Sequence, residues 1–449
     1  MQELVAGMDD IRLPQNSALV ELQKHFCLIN LNGEYRILDR LEVENILSGK
    51  STGEISFYKK QDGELSMRRY LENLSIPCEV GKTIKDFWSN PSTHLYKSIA
   101  FSPIEKGSDV LNYWVGSTIK PKQGNWDSIQ EFLFIVICNG HEETFKYLYF
   151  YLAHMLQKPN DKPGIIIVML GQQGVGKGFC LSLLRSIWSK STLQVSDVEN
   201  VLGNFNSQLE RNYVVCMDEA IFSGDKKSME RLKSLITEKV CRIEQKYQPA
   251  RTIESCHRFF AASNSDHFAN IERDDRRFLF LRVSSVRQGD TQYFEKLFRD
   301  INDESKLGAM VYDLMNLDIS KFDIRKRPKT KEHTEQVLQS LSGFDRYWFQ
   351  VLQIGSFDTK YPKNSRWTEP KFVSSKSMAK YYLEFNKNAE RYSPFQSHVI
   401  KKTMEKFCTS SQQDRKQEDN VQERGWSLPG IAIARQEFEK AIGNPVDWG

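Results

Sequence analysis

The chain has no cysteine pair at C-x-x-C spacing, no apolar run near the length of a membrane span and no basic-then-apolar leader in its first thirty residues. It also has no internal repeat and no long low-complexity tract. Its eight cysteines (Cys27, Cys78, Cys138, Cys180, Cys216, Cys241, Cys256 and Cys408) are scattered, several of them within apolar runs where a free thiol packs as a small hydrophobe. That distribution argues against a zinc module and for a reducing compartment. The apolar run Gly164 to Leu170 is far short of the ~20 residues a spanning helix needs, so a soluble, cytoplasmic protein without a membrane partner is expected. An excess of one charge sign is missing too: 62 Lys and Arg face 58 Asp and Glu, a net +4. Composition therefore permits nucleic-acid binding without demanding it, although six copies in a ring would gather +24, six times +4, for a central channel.

What is present suits large folded cores. Of 449 residues, 40% are hydrophobic and 12% aromatic, and one domain per ~150 residues predicts two or three units. Residues 1–105 alternate short apolar runs with turn signals, and Phe26 to Leu31, Asn32-Gly33 and Tyr35 to Leu38 read as a hairpin in a small α+β region. Residues 106–160 hold two helices as a lead-in, the second with Phe145, Leu148, Tyr149, Leu152, Met155 and Leu156 at helical spacing before Pro159. Residues 161–318 alternate β-rich segments with helical ones, which predicts an α/β layered fold with a largely parallel sheet. A basic, Pro-containing strip (Lys321 to Lys331, within 319–339) reads as a linker or mobile surface strip. Residues 340–449 read as a small, mostly helical C-terminal domain. Helices are expected over Ser377 to Asn388, Ser397 to Phe407 and Ile431 to Ile442, with a polar break at Ser410 to Arg424.

The chemistry starts at Gly171-Gln172-Gln173-Gly174-Val175-Gly176-Lys177, which matches G-x-x-x-x-G-K between the apolar strand Ile165 to Leu170 and an apolar helix beginning Gly178-Phe179. Glycines let successive N–H groups turn toward phosphates, the helix start adds partial positive charge, and Lys177 is the mobile cation for the β and γ oxygens. A glycine-rich turn that merely joins strand to helix is the bland alternative. The motif normally ends in Ser or Thr, and Gly178 stands where the Mg²⁺-binding hydroxyl belongs. Metal ligation then falls to Asp218 and water, since Mg²⁺ often takes only one or two protein carboxylates. The decoy Gly81-Lys82-Thr83 has Ile76 where the pattern needs glycine.

Forty-one residues after Lys177, the apolar run Tyr213 to Met217 ends in Asp218-Glu219. Beside a phosphate loop, Asp218 would hold the metal and Glu219 would orient and deprotonate the attacking water. The next apolar strand, Arg258 to Ala262, ends Ser263-Asn264, making Asn264 a candidate γ-phosphate sensor, or an Asn in an ordinary turn. Arg273-Asp274-Asp275-Arg276-Arg277 then offers a guanidinium for a neighbouring subunit's transition state, from Arg276 or Arg277, or a salt-bridged surface.

These four elements, in this order within about 110 residues, resemble the superfamily 3 helicases of small viruses and plasmids, and most closely the helicase half of phage and poxvirus-type primase-helicases. Phe101-Ser102-Pro103, Leu111 to Gly116 and Leu156 to Pro159 are similar to the lead-in of phage primase-helicases. Trp426 to Pro429, with Arg435 and Phe438, is similar to their C-terminal tail. The likeness covers residues 85 to 310 well. It implies an AAA-like P-loop core, ATP and Mg²⁺ as cofactors, self-association into a ring, hexameric in that family, and an arginine finger from the adjacent protomer. It further implies a hairpin entering the ring channel over Arg242 to Arg251, with Lys246 on a phosphate, Tyr247 on sugar or base, and Arg242 and Arg251 beside them. The expected activity is that of an ATP-dependent helicase or translocase acting on single-stranded or forked DNA, alongside a primase or polymerase domain or partner. The alternatives are a P-loop motor or loader that does not unwind, and a nucleotide-switched DNA-binding initiator.

Overall fold

The structure, a computed structural model, describes residues 17–31, 33–48, 50–51, 55–74, 76–220, 222, 226–246, 250–386, 397–418 and 421–448. Helix Ser17–His25 runs into β1 (Phe26–Leu31), which pairs antiparallel with β2 (Glu34–Asp39). Gly33 takes φ +91° at the turn, and its N–H donates to Asn30 Oδ1 at 2.8 Å. The expected hairpin is therefore present. A short parallel strand, β3 (Leu95–Tyr96), completes a sheet of order β2-β1-β3. Helices Lys60–Asn73 and Val80–Ser89 cover it over a separate core that includes Leu22, Phe26, Ile37, Met67 and Phe87. Gly81-Lys82-Thr83 lies inside the second of these helices, away from any strand-to-helix turn.

The parallel pair β4 (Ser98–Ala100) and β5 (Val110–Asn112) leads to helix Asp127–Glu131. That helix continues as a π-helical turn over Phe132–Ile137. Helix Glu142–Gln157 follows, burying Tyr147, Leu148, Tyr151, Leu152 and Met155 at helical spacing. Tyr147 donates its hydroxyl to Ile324 O at 2.6 Å, which pins the later chain to this helix.

The centre is a sheet of five strands: β6 (Ile166–Leu170), β7 (Thr192–Val195), β8 (Val214–Met217), β11 (Arg258–Ser263) and β12 (Phe278–Arg282). Their order is β12-β6-β11-β8-β7 and every pairing is parallel. The inner strands are buried along their full length, as their continuous apolar sequences require of a sheet covered on both faces. Between β8 and β11 the chain makes helix Lys226–Thr237 and a separate antiparallel hairpin of β9 (Val240–Ile243) and β10 (Arg251–Glu254). Because all five strands run the same way, every strand-to-helix turn that can present functional groups gathers at one sheet edge.

The strip from Lys321 is anchored, contrary to the expectation of a mobile linker. Ile324 is buried, Arg325 pairs with Asp161 at 2.6 Å, and Arg327 donates to Asp275 O at 2.8 Å. Helix Lys331–Ser340 is capped by Thr330 and packs on the core, with Gln336 accepting from Phe268 N at 2.9 Å.

The C-terminal unit contains helices Gly343–Ile354, Ser375–Phe385, Ser397–Phe407 and Ile431–Ile442. It also has a three-stranded antiparallel sheet of β13 (Lys371–Ser374), β14 (Gln412–Glu418) and β15 (Val421–Leu428), in the order β13-β15-β14. The polar stretch expected as a break is therefore a paired hairpin. Gly425 makes it possible: a Cβ there would lie 2.3 Å from Val373 O, so only glycine lets β13 approach so closely.

Candidate functional site

The loop after β6 lies at the C-terminal edge of the sheet. Gly174 and Gly176 take φ +79° and +112°, backbone that favours glycine, and Gly176 leads directly into helix Lys177–Ile187. Space is restricted as well as conformation: a Cβ on Gly176 would sit 3.2 Å from both the Phe132 and Phe294 rings. The π-helical turn of the lead-in and helix Thr291–Asp300 thus brace the loop from outside the motif. Phe179 stacks on Phe294 with centroids 4.8 Å apart, and Gln288 donates to Gln173 O at 3.0 Å. Gly178, by contrast, faces open space, with nothing within 4 Å of where its Cβ would be.

Lys177 is buried to 7% exposure and folds back on its own loop, donating to Gly171 O at 2.6 Å, Gln172 O at 2.7 Å and Asn264 Oδ1 at 2.8 Å. Burial pushes its pKa below the ordinary lysine value, and the carboxylates of Asp218 and Glu219 oppose that shift. Lys177, Asp218, Glu219 and Asn264 are therefore assembled at one place although 87 residues separate the first from the last. Topology is the reason. Strand β11 lies between β6 and β8, so Asn264 at its tip stands between the phosphate-type loop and the Asp-Glu turn.

Glu219 is one of two non-glycine residues with positive φ among the described residues, at +54°. Its N–H donates to Asp218 Oδ1 at 3.1 Å, and the next N–H, of Ala220, bonds Ala262 O at 3.0 Å. A glutamate held in the left-handed region costs about 1–3 kcal/mol, which the flanking strands must supply. The result is a solvent-facing carboxylate beside a partly buried one. Chemically, the edge offers a cation, an amide, one carboxylate placed to ligate and one placed to take a proton. Among the described residues no three His, Cys, Asp or Glu side chains form a metal cage. A hard cation held at Asp218 would therefore draw most of its ligands from phosphate oxygens and water, which suits Mg²⁺.

The remaining predicted residues lie elsewhere. Arg276 and Arg277 precede β12, at the opposite edge of the sheet, where Arg277 O accepts from Ile166 N at 2.8 Å. At ~3.3 Å per residue, a five-residue strand puts them roughly 16 Å from the loop of their own chain. Arg276 is exposed, whereas Arg277 pairs with buried Asp275 at 3.3 Å. The guanidinium that does stand at the loop edge is that of Arg282, whose residue is in register with Leu170. It is committed to Asp266 at 2.5 Å and Glu335 at 3.0 Å.

On the hairpin, Arg242 is exposed and pairs with Glu244 at 2.9 Å. Arg251 is a correction: its side chain is buried in a two-pronged ion pair with Glu210 and lies over the Phe57 ring, so it fastens the hairpin base and does not face a ligand. Tyr247 lies outside the described residues. Lys246 is exposed, and its ammonium sits 5.3 Å from the ring centroid of Phe205, itself 55% exposed. Phe205 stands alone in a loop without periodicity, so no sequence pattern singles it out. Asn206 ties that loop to the hairpin, donating to Arg242 O and accepting from Glu244 N, each at 3.0 Å.

A protein-family model described as a family of unknown function, DUF5906, matches residues 169–277, the span from β6 to the arginine cluster. A curated DNA primase-polymerase of Nitratiruptor phage NrS-1 is 26% identical over 200 residues, 42% of this chain. The matched stretch spans 28% of that relative's length. Solved structures of the NrS-1 C-terminal region share the fold. One has a TM-score of 0.63 at 15% identity, covering 91% of this chain and 97% of that one, and another has 0.64 at 16%, covering 92% and 98%.

Proposed function

We propose that the chain is the nucleotide-driven motor of a phage-type DNA replication system, hydrolysing ATP with Mg²⁺ at the loop Gly171 to Phe179 and moving along single-stranded DNA as a ring. The observation that carries this reading is the assembly of Lys177, Asp218, Glu219 and Asn264 at one sheet edge, joined by the Lys177–Asn264 hydrogen bond of 2.8 Å. A triphosphate would draw Lys177 off the carbonyls it now holds and onto the β and γ oxygens, with loop N–H groups completing the cradle. Asp218 would hold the cation, which supplies neutralisation of phosphate charge. Glu219, solvent-facing and fixed by its backbone, would take the proton of the attacking water, and the Asn264 amide would read the γ-phosphate.

Two further features support a ring on DNA. Arg276 and Arg277 stand roughly a strand's length, about 16 Å, from their own loop, so a finger role for either would have to be played on a neighbouring protomer. Lys246 and Phe205 place a cation beside an exposed ring, the combination that sequence-tolerant single-strand binding uses. The likeness to a phage DNA primase-polymerase adds a replication setting and makes a primase or polymerase domain the natural partner.

Phosphate release with and without single-stranded DNA, for the wild type and for Lys177→Ala and Lys246→Ala, tests the reading. Lys177→Ala should abolish turnover, while Lys246→Ala should keep the basal rate and lose the DNA stimulation. A wild-type chain that releases no phosphate under any DNA condition would sink the proposal. Unwinding of a forked duplex separates a helicase from a motor that only translocates.

A further inference from the structure

Helix Thr291–Asp300 buries Leu297 and Asp300 on one side, yet its other side is not simply polar. Phe298 stands there at 58% exposure, one turn beyond the half-buried Phe294, and belongs to neither hydrophobic core. With Thr291, Glu295 and Arg299 these rings follow the i, i+3, i+4, i+7, i+8 spacing of a single helical stripe. That stripe forms one wall of a cleft of about 670 Å³, and the opposite wall is the phosphate-type loop itself, through Gly174 and Phe179.

Cleft and loop are built together. Asp290 caps the helix, accepting from Tyr293 N at 3.0 Å, and just before it Gln288 donates to Gln173 O on the loop. Phe179 stacks on Phe294, and Phe294 also crowds Gly176. The wall that carries Phe298 is therefore held in place relative to the residues that would cradle phosphates. A nucleoside triphosphate seated on the loop extends past the start of helix Lys177–Ile187 through its ribose, so its base needs a surface beside the first turn of that helix. At that turn Gly178 leaves open space and Phe179 opens onto the cleft. Aromatic walls with a few polar groups at the rim make up a small-molecule site, and Glu295 and Arg299 supply an acceptor and a donor that suit base edges.

Building on the reading of Gly171 to Phe179 as a triphosphate site, we propose that this cleft receives the nucleobase, with the base laid on Phe298 and against Phe294. Stacking reads a π-face that every base has, so the site discriminates by stacked area more than by base edge. A two-ring purine covers more of the two phenylalanines than a one-ring pyrimidine does. The cleft therefore favours purine over pyrimidine triphosphates and separates adenine from guanine only weakly.

The test follows nucleoside diphosphate formation by the full chain from ATP, GTP, CTP and UTP, with inorganic tripolyphosphate as a competitor that has the phosphates and no base. Wild type should show similar KM values for ATP and GTP, both lower than those for CTP and UTP. Phe298→Ala should raise KM for the two purine nucleotides by about tenfold, the effect of losing one stacking ring, and leave the rate at saturation and the inhibition by tripolyphosphate at wild-type values. Phe298→Trp should restore KM. Its emission, measured against the eight tryptophans of the wild type, should change on addition of ATP and not of tripolyphosphate. Phe298 is exposed and outside both cores, so neither variant removes packing that the fold needs. A wild-type KM for ATP in Phe298→Ala, or equal weakening of ATP and tripolyphosphate, would overturn the base site and leave the loop reading standing. Loss of self-association in Phe298→Ala with unchanged nucleotide constants would do the same and assign the ring to contact with a second copy. A wild-type chain that forms no diphosphate from any of the four nucleotides would overturn the loop reading and the base site together.

Discussion

Replacing Asn264 with Ala separates binding from chemistry at the sheet edge. Lys177 donates to two backbone carbonyls and to one side chain, the Asn264 amide oxygen at 2.8 Å. A hydrogen bond to a charged group contributes about 1.5–3 kcal/mol, so its removal leaves Lys177 held by two backbone carbonyls and less costly to detach. In the proposed motor, nucleotide binding would require that detachment. Asn264→Ala should therefore bind ATP as tightly as wild type or up to roughly tenfold more tightly, about 1.4 kcal/mol of the released interaction. Turnover should move the other way. If the amide reads the γ-phosphate, loss of one positioned polar group costs about 10²–10³ in kcat. Equilibrium binding of a fluorescent nucleotide, alongside steady-state phosphate release, reads both quantities on one sample. A variant with unchanged kcat would refute the role of Asn264, and one that no longer bound nucleotide would show that the Lys177 hydrogen bond organises the loop instead of competing with substrate.

Gly178→Ser should remain active, because a Cβ there meets nothing within 4 Å and a hydroxyl at the helix start adds a ligand where the motif usually has one; complete loss of phosphate release would contradict the assignment of metal binding to Asp218 and water. Arg276→Ala/Arg277→Ala should be inactive alone, as should Lys177→Ala. Equal mixing of the two should restore about a quarter of wild-type turnover through interfaces that combine an intact loop with an intact finger, and no restoration would exclude action between subunits. Acid should destabilise the fold well before its carboxylates are protonated. Burial, the leading cause in each case, pushes His257 down to about 3 and both His154 and His333 down to about 4. The unfolded chain takes up these protons near pH 6.5 while the fold does not, so stability falls as pH drops below about 6.5, by up to ~1.4 kcal/mol per pH unit for each ring. Thermal melts that stay level between pH 7 and 5.5 would count against buried neutral rings.

Where a local pattern carried the information, the sequence was readable. The run Ile166–Leu170, its glycine loop and the helix from Lys177 follow from apolar continuity and motif spacing alone. Helices Ser397–Phe407 and Ile431–Ile442 follow from helical periodicity. Where a distant partner decides, the sequence was silent. Gln412–Glu418 has neither alternation nor β-branched residues, and it forms a strand because β15 pairs with it. Arg251 looks like any exposed hairpin cation until Glu210, 41 residues earlier, is brought against it. The basic strip at Arg325 and Arg327 has the composition of a linker but finds Asp161 and the carbonyls of Asp275 and Arg276. The position of Asn264 between loop and carboxylates depends on strand order, which no local pattern encodes.

That strand order also bears on how hydrolysis at one edge of the sheet could move a hairpin at the other. Strand β11 reaches both ends: it begins just after β10 closes the hairpin and ends beside Asn264. Six residues at ~3.3 Å carry the chain roughly 20 Å from hairpin to sensor with no intervening loop. The junction at its lower end is held by buried hydrogen bonds. Lys162 donates to Leu235 O at 2.6 Å, Glu238 O at 2.7 Å and Ser255 Oγ at 2.6 Å, so one buried ammonium joins the end of helix Lys226–Thr237 to the base of the hairpin. Ser255 in turn bonds His257 Nδ1 at 2.8 Å, and His257 Nε2 donates to Leu209 O at 2.9 Å in the segment that follows Phe205 and Asn206. A displacement of Asn264 as Lys177 changes partners would thus be passed along a strand paired on both sides, toward a hairpin whose base is tied by buried hydrogen bonds. In the proposed motor, Lys246 and Phe205 would then move with the strand.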